Sequence, residues 1–267
     1  MGSLPPPELT SRHNPKVLLA ASLSRRKERE RLGLVLVEGE RLVAQALAFG
    51  ARFHYFLLDR ERVSAGLLAA VRASGADVFF ATEAVLAKAA ETKSPQGIVG
   101  VAAAQREDAV DLAAAGWLVV ADGLQDPGNL GTVLRVAAAV GADGVVCTAG
   151  SVDPKHPRCL RASAGAYFRA RLSTGWAPAA LHEALVEQGF TIVAADAAGE
   201  ADAFAYPWEG RIALVLGSEA RGPDPALVPH VRVRIPMPGG GESLNVGAAA
   251  AVLLYQAWRA RERGARL

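Results

Sequence analysis

The chain has 267 residues, 51% of them apolar, a net charge of +2 and two cysteines. That length suits two domains with real cores, two cysteines exclude a disulfide framework, and no apolar run reaches the ~18 residues of a membrane span. The opening MGSLPPPELT lacks the charged-then-apolar order of a secretory signal and has Pro6 where myristoylation wants Ser or Thr, so a cytoplasmic protein is expected.

In chain order, the first feature is charge. Between Ser11 and Arg31 stand Arg12, Lys16, Arg25, Arg26, Lys27, Arg29 and Arg31 against Glu28 and Glu30, seven cations to two anions. Such a cluster is the footprint of a phosphate-binding surface, or else a solvated helix face. Runs 34–39, 53–59, 77–82 and 97–103 read as strands, and 40–49, 61–73 and 83–91 as helices. Residues 104–116 start polar and carry no strand signal. The expected organisation is an N-terminal domain over 1–106, a linker over 107–116 and a second domain over 117–267.

The second half repeats the alternation. Strands are expected at 117–122, 144–148, 170–174, 191–196, 211–217 and 231–237, and helices at 130–140, 157–166, 178–188 and 244–262. Strands separated by helices imply parallel pairing in an α/β sheet. A run such as IALVLG is apolar at successive positions, as a strand covered on both faces should be.

In such a sheet, ligands bind outside the carboxyl ends of the strands. Three strand ends lead into stretches that join Gly to polar residues: GLQDPGNLGTVLR (123–135), SEARGP (218–223) and PGGGESLN (238–245). Glycine lets backbone approach a ligand closely, and helix N-termini offer unpaired N–H groups. Neither a G-x-x-x-x-G-K-[ST] loop nor a G-x-G-x-x-G after a strand is present, which counts against an ordinary phosphate-cradling or dinucleotide-binding enzyme. Asn129, Gly131 and Arg135 form N-x-G-x-x-x-R. Plain structural alternatives stand beside each candidate: a helix cap for Asn129, a salt bridge for Arg135, and an ion pair with Arg221 for Glu219. His156, Cys159 and Cys147 lack the matched spacing of a metal site, and no metal is expected.

NLGTVLR (129–135), LGSEARG (216–222) and IPMPGGGESLNV (235–246) resemble, in order and spacing, the three motifs of the SpoU family of RNA ribose 2′-O-methyltransferases. Residues 14–47 are similar, more weakly, to the opening of an accessory domain that many members carry, itself resembling ribosomal proteins. The resemblance implies a C-terminal parallel-sheet α/β domain with a deep trefoil knot, preceded by a smaller α/β RNA-binding domain. It implies S-adenosylmethionine as cofactor, held near Leu216, Gly217, Ile235, Met237 and Leu244, with Asn129, Arg135, Glu219, Ser243 and Asn245 at the polar motif positions. Arg25, Arg26, Lys27 and Arg29 are the expected RNA contacts, with ribosomal RNA favoured over tRNA. Gly247 replaces a serine common in the family.

Methyl transfer to a hydroxyl requires that the oxygen lose a proton and sit about 3 Å from the methyl carbon. None of the three stretches contains a histidine. Arg135 is the family's candidate proton acceptor, although an arginine ordinarily keeps its charge; it either takes the proton or orients phosphate and hydroxyl. From Val246 to Trp258 the last helix has almost no polar face, so it is either buried within one subunit or covered by a partner; the family resemblance implies the latter, a homodimer packed partly through this helix with each active site drawing residues from both chains. The competing functional reading is an RNA-binding protein that has lost the chemistry.

Overall fold

In a computed structural model of the protein, residues 8–92, 94–219, 221–241 and 243–264 are described. The first half contains β1 (Glu8–Leu9), α1 (Pro15–Ser22), α2 (Arg26–Leu32), β2 (Leu34–Glu38), α3 (Glu40–Ala48), β3 (Phe53–Leu58), α4 (Ala65–Ala73), β4 (Asp77–Ala81), α5 (Glu83–Ala89) and β5 (Ile98–Ala103). Helices α1 and α2 have no counterpart among the expected elements. Their signals are local: Asn14 caps α1 by accepting from the Lys16 N–H, with Pro15 in the first turn, and α2 stops at Gly33 in the left-handed conformation.

The second half contains β6 (Trp117–Ala121), α6 (Pro127–Val140), β7 (Gly144–Thr148), α7 (Pro157–Ser163), a 3₁₀ turn at Ala166–Phe168, β8 (Leu172–Trp176), α8 (Pro178–Glu187), β9 (Thr191–Ala195), β10 (Ala201–Asp202), β11 (Ile212–Leu216), β12 (Val231–Arg234) and α9 (Val246–Gly264). Helix α6 begins earlier than expected. Asp126 is its cap, accepting from the Asn129 N–H, and Pro127 occupies the first turn, where a missing N–H costs nothing.

Two compact units result: Met1–Gln105 with Asp153–Phe168, and Arg106–Val152 with Arg169–Leu267. Residues 153–168, expected with the C-terminal domain, thus pack with the first unit. Its five-stranded sheet has the order β1-β4-β3-β5-β2. Strand β5 runs antiparallel to both β2 and β3, so alternation of strands and helices does not give a wholly parallel sheet here. Val17, Ala20 and Leu23, on α1 and at its end, pack into a core with Leu36, Tyr55, Leu57, Val85 and Leu86.

The second unit has a seven-stranded, wholly parallel sheet of order β10-β12-β9-β11-β6-β7-β8. β6, β7 and β11 are buried along their whole length, matching their continuous apolar runs. The expected linker is partly sheet-bound: Ala109 N–H donates to Leu172 O, and Thr174 N–H donates to Glu107 O, along the edge strand β8. Strand order reverses at β6, whose neighbours are β7 on one side and β11 on the other. Parallel pairing sets Ala121 opposite Leu216, so the loops after β6 and β11 emerge side by side at this reversal, where open α/β sheets bind ligands.

Candidate active site

The site grows from that reversal. Asn129 lies in the first turn of α6, with Asp126 rather than Asn129 as the cap. Glu219 follows β11, and Asn245 precedes α9. Although these three are far apart in sequence, their side chains form one hydrogen-bonded cluster. Asn129 Nδ2 donates to Glu219 Oε1 at 2.6 Å. Asn245 Nδ2 donates to Asn129 Oδ1 at 3.0 Å and to Glu219 Oε1 at 3.2 Å. Glu219 therefore binds the other two motif stretches, and among the described residues it pairs with neither Arg221 nor Arg135. Asn245 also caps α9, its Oδ1 accepting from the Gly247 N–H at 2.9 Å, a contribution of about 1 kcal/mol to helix stability. This cap fixes which atom faces inward, leaving the amide nitrogen for the cluster.

Beside the cluster lies a cavity of about 730 Å³, within the usual range for small-molecule sites. Leu216, Gly217, Ile235, Met237 and Leu244, the five expected cofactor positions, all line it, as do Glu219 and Ser243. Leu227, Val246 and Leu253 extend the apolar wall, while Asp196, Arg221 and Arg232 supply charge. Gly217 is required by space: a Cβ there would overlap the backbone of Gly222 and Pro223. Gly247 has a related cause. A Cβ would stand 3.1 Å from Thr132 Cγ2 of α6, so the small residue lets α9 lie close against α6.

Of the expected site residues, Asn129 and Asn245 reach the cavity only through their bonds to Glu219, and Arg135 joins neither the cavity nor the cluster. It is exposed on α6, and among the described residues its side chain makes no hydrogen bond or ion pair. Six residues separate it from Asn129, which at about 100° per residue puts it on a different side of the helix. Sequence reasoning also passed over Asp196 and Arg232, which line the cavity and pair at 3.3 Å. Asp196 ends the expected strand 191–196, so its signal was present at a strand terminus.

The expected RNA contacts lie on the first unit and divide into two kinds. Arg25, Arg26 and Lys27 are exposed, and Arg26 bonds Glu30 at 2.6 Å. Arg29 must be withdrawn from that group. It is 1% exposed, bound to Asp153 Oδ2 through Nη2 at 2.6 Å and Nε at 3.0 Å, with Nη1 donating to the carbonyls of Leu23 and Ser24. All three guanidinium nitrogens are engaged, leaving none for a phosphate.

The cysteines and His156 have structural places. Cys147 and Cys159 are buried and form no disulfide, and burial pushes the Cys147 thiol up to about 12. His156 caps α7, its Nδ1 accepting from the Arg158 N–H at 3.1 Å; burial, with Arg29 nearby, holds its imidazole below the ordinary value. Among the described residues, no helix is long and apolar enough to cross a membrane.

A parallel α/β sheet in which the loops after β11 and β12 line a cavity, while Asn129 from the connection after β6 bonds its lining residue Glu219, defines a ligand-binding domain of the kind that houses nucleotide-like cofactors. The model of the SpoU rRNA methylase family matches residues 116–255, and that of the MRM3-like substrate binding domain matches residues 14–100. The chain belongs to the SpoU rRNA methylase family. It is 32% identical to the 23S rRNA (guanosine(2553)-2′-O)-methyltransferase RlmP of Bacillus subtilis, over 93% of this chain and 98% of that one. Among solved structures, it is similar to the SpoU methyltransferase AviRb of Streptomyces viridochromogenes in complex with AdoMet, with a TM-score of 0.83 and 27% identity over 94% of this chain and 99% of that one. It is also similar to an AdoMet-bound rRNA methyltransferase from Sinorhizobium meliloti, with a TM-score of 0.80 and 28% identity over 95% and 97% of the two chains.

Proposed function

We propose that this protein transfers a methyl group from S-adenosylmethionine to a ribose 2′-hydroxyl of ribosomal RNA in the cytoplasm, working as a homodimer. The observation that carries the reading is the Asn129–Glu219–Asn245 cluster, which joins all three motif stretches at the lip of one cavity. The cavity fits the cofactor: apolar side chains at Leu216, Ile235, Met237 and Leu244 suit a flat base, and the bend at Gly217 lets backbone come close. The chain through these loops forms the trefoil knot characteristic of the family.

Bound S-adenosylmethionine supplies an electrophilic methyl group on a sulfonium. The protein's part is to present the ribose oxygen in line and to accommodate its proton. Glu219 fixes the amide orientations of Asn129 and Asn245, so the lip offers set donors and acceptors to the ribose, and Ser243 adds a hydroxyl. Arg135 acts from a second copy of the chain. It stays charged, as arginine in water does, and grips the phosphate beside the reacting hydroxyl while the proton leaves to water. A second copy also accounts for Tyr255 and Trp258 on α9, which are 51% and 42% exposed in the single chain and stack edge to face. The first unit holds the RNA through Arg25 and Lys27, while Arg26 stays bonded to Glu30.

Mapping 2′-O-methyl groups in the ribosomal RNA of cells with and without the gene tests the activity. One ribose should lose its methyl group in the deletion strain and regain it on complementation. An unchanged map, together with purified protein that methylates no RNA from the deletion strain, overturns the enzyme reading in favour of an RNA-binding protein on the same fold.

A further inference from the structure

A buried carboxylate outside the methyl-transfer cluster stands just after β6. Asp122 is 4% exposed, and among the described residues no cation pairs with it. Its hydrogen bonds instead tie together three strand ends. Thr148 Oγ1, at the end of β7, donates to Asp122 Oδ1 at 2.6 Å, and the Gly123 N–H donates to Thr148 Oγ1 at 3.1 Å. The Asp122 N–H donates to Leu216 O, the last residue of β11, at 2.9 Å. The backbone N–H of Asp224 donates to Asp122 Oδ2 at 2.5 Å.

We propose that Asp122 is a positioning residue for cofactor binding, acting through Asp224 to hold the 217–224 loop as a wall of the cavity. The proposal rests on the cofactor reading above. The loop leaves β11, bends at Gly217 against Gly222 and Pro223, and reaches Asp224, itself a lining residue. Pro223 and Pro225 flank Asp224, and proline has no N–H. The Asp224 N–H is therefore the one backbone donor in that tripeptide, and it is given to Asp122. A buried carboxylate is tolerated when its acceptors are met, and an ionised carboxylate offers acceptors only. Both donors it meets hold a strand end or the loop. Asparagine at 122 keeps one acceptor for Asp224, and its amide N–H₂ can donate to Thr148 Oγ1. Alanine leaves the Asp224 N–H without this partner.

Calorimetric titration of the full-length protein with S-adenosylmethionine and with its demethylated product tests the idea. Loss of one hydrogen bond to a charged group predicts a Kd about tenfold or more higher in Asp122→Ala. Asp122→Asn should recover most of that loss. In steady-state methylation, the Asp122→Ala defect should lie in KM for the cofactor, with kcat at saturating cofactor and KM for RNA unchanged. Should Asp122→Ala fail to fold, Thr148→Val carries the test, with cofactor affinity expected to fall about threefold through loss of one hydroxyl bond. Wild-type cofactor affinity in folded Asp122→Ala, or in Thr148→Val where alanine does not fold, overturns the proposal alone. So does an Asn variant as defective as Ala, or a KM for RNA that rises in step. Wild-type protein that binds neither ligand overturns the cofactor reading and the proposal with it.

Discussion

The motif cluster of the second unit and the basic opening of the first were both conspicuous in the sequence, but they are built by different rules. Asn129, Glu219 and Asn245 are polar residues in the connections that leave β6, β11 and β12, and a parallel sheet carries its carboxyl ends along one edge, so topology brings these connections together. Most of the cations of residues 11–31 lie on short helices, where each neighbour points elsewhere. There, Arg29 turns inward to Asp153, Arg26 engages Glu30, and Arg31 engages Glu28 at 2.7 Å. Position relative to a sheet edge therefore carries information about convergence that a count of charges does not.

The largest expected effect breaks the comparison on the side of the first unit. Arg29→Met leaves Asp153 buried without its cation, and loss of one partner of a buried pair costs about 3–5 kcal/mol. Urea unfolding should show that loss. The salt dependence of RNA binding should be that of the wild type in variant protein that remains folded, because Arg29 faces no solvent. A stability change under about 1 kcal/mol, the range of an exposed pair, accompanied by a flatter salt slope would return Arg29 to the RNA surface.

Arg135 sharpens the comparison from the other side, as a polar residue that the strand-end rule does not place. Arg135→Ala should lower single-turnover methylation by about 10²-fold, in the range for losing a group that acts in the transition state. Cofactor affinity and melting temperature should hold, since no ion pair is lost within the chain. Arg135→Lys should rescue poorly because it lacks the planar two-pronged donor. Full activity in folded Arg135→Ala protein would remove the residue from the site.

The smallest effect concerns the cations left over. Arg25 and Lys27 form no ion pair among the described residues, whereas Arg26 does. The double variant Arg25→Ala/Lys27→Ala should therefore reduce the slope of log K against log salt by about 1.5, at roughly 0.7–0.9 per phosphate contact. Adding Arg26→Ala should change it little further. Filter binding across a salt series reads both outcomes, and equal steps for all three residues would show that the Glu30 pairing does not matter.

Most of the second unit was legible because its strands are uninterrupted apolar runs and its helices lie between them. Cavity-lining positions such as Leu216 and Met237 were singled out through motif resemblance rather than chemistry, since apolar residues at a strand end look like core. The beginning of α6 was hidden by Asp-Pro-Gly, which reads as a turn until the aspartate is recognised as a cap. The antiparallel β5 was hidden because strand–helix alternation does not encode direction of entry into a sheet. Arg29 was misassigned because its partner lies 124 residues away, and local charge patterning holds no trace of such a partner.

That distant partner bears on how the chain matures during synthesis. The ribosome releases residues in order, yet the first unit includes Asp153–Phe168, which follow β6, α6 and β7. When Gln105 has emerged, Arg29 has no Asp153 to meet, and the surface that α7 will cover is still open to water. Completion of the first unit must wait until Phe168 has been made, and with it the opening strands of the second. Folding of the two units is thereby interleaved in time, and a polypeptide ending at residue 105 would keep an uncompensated guanidinium at a position built to be dry.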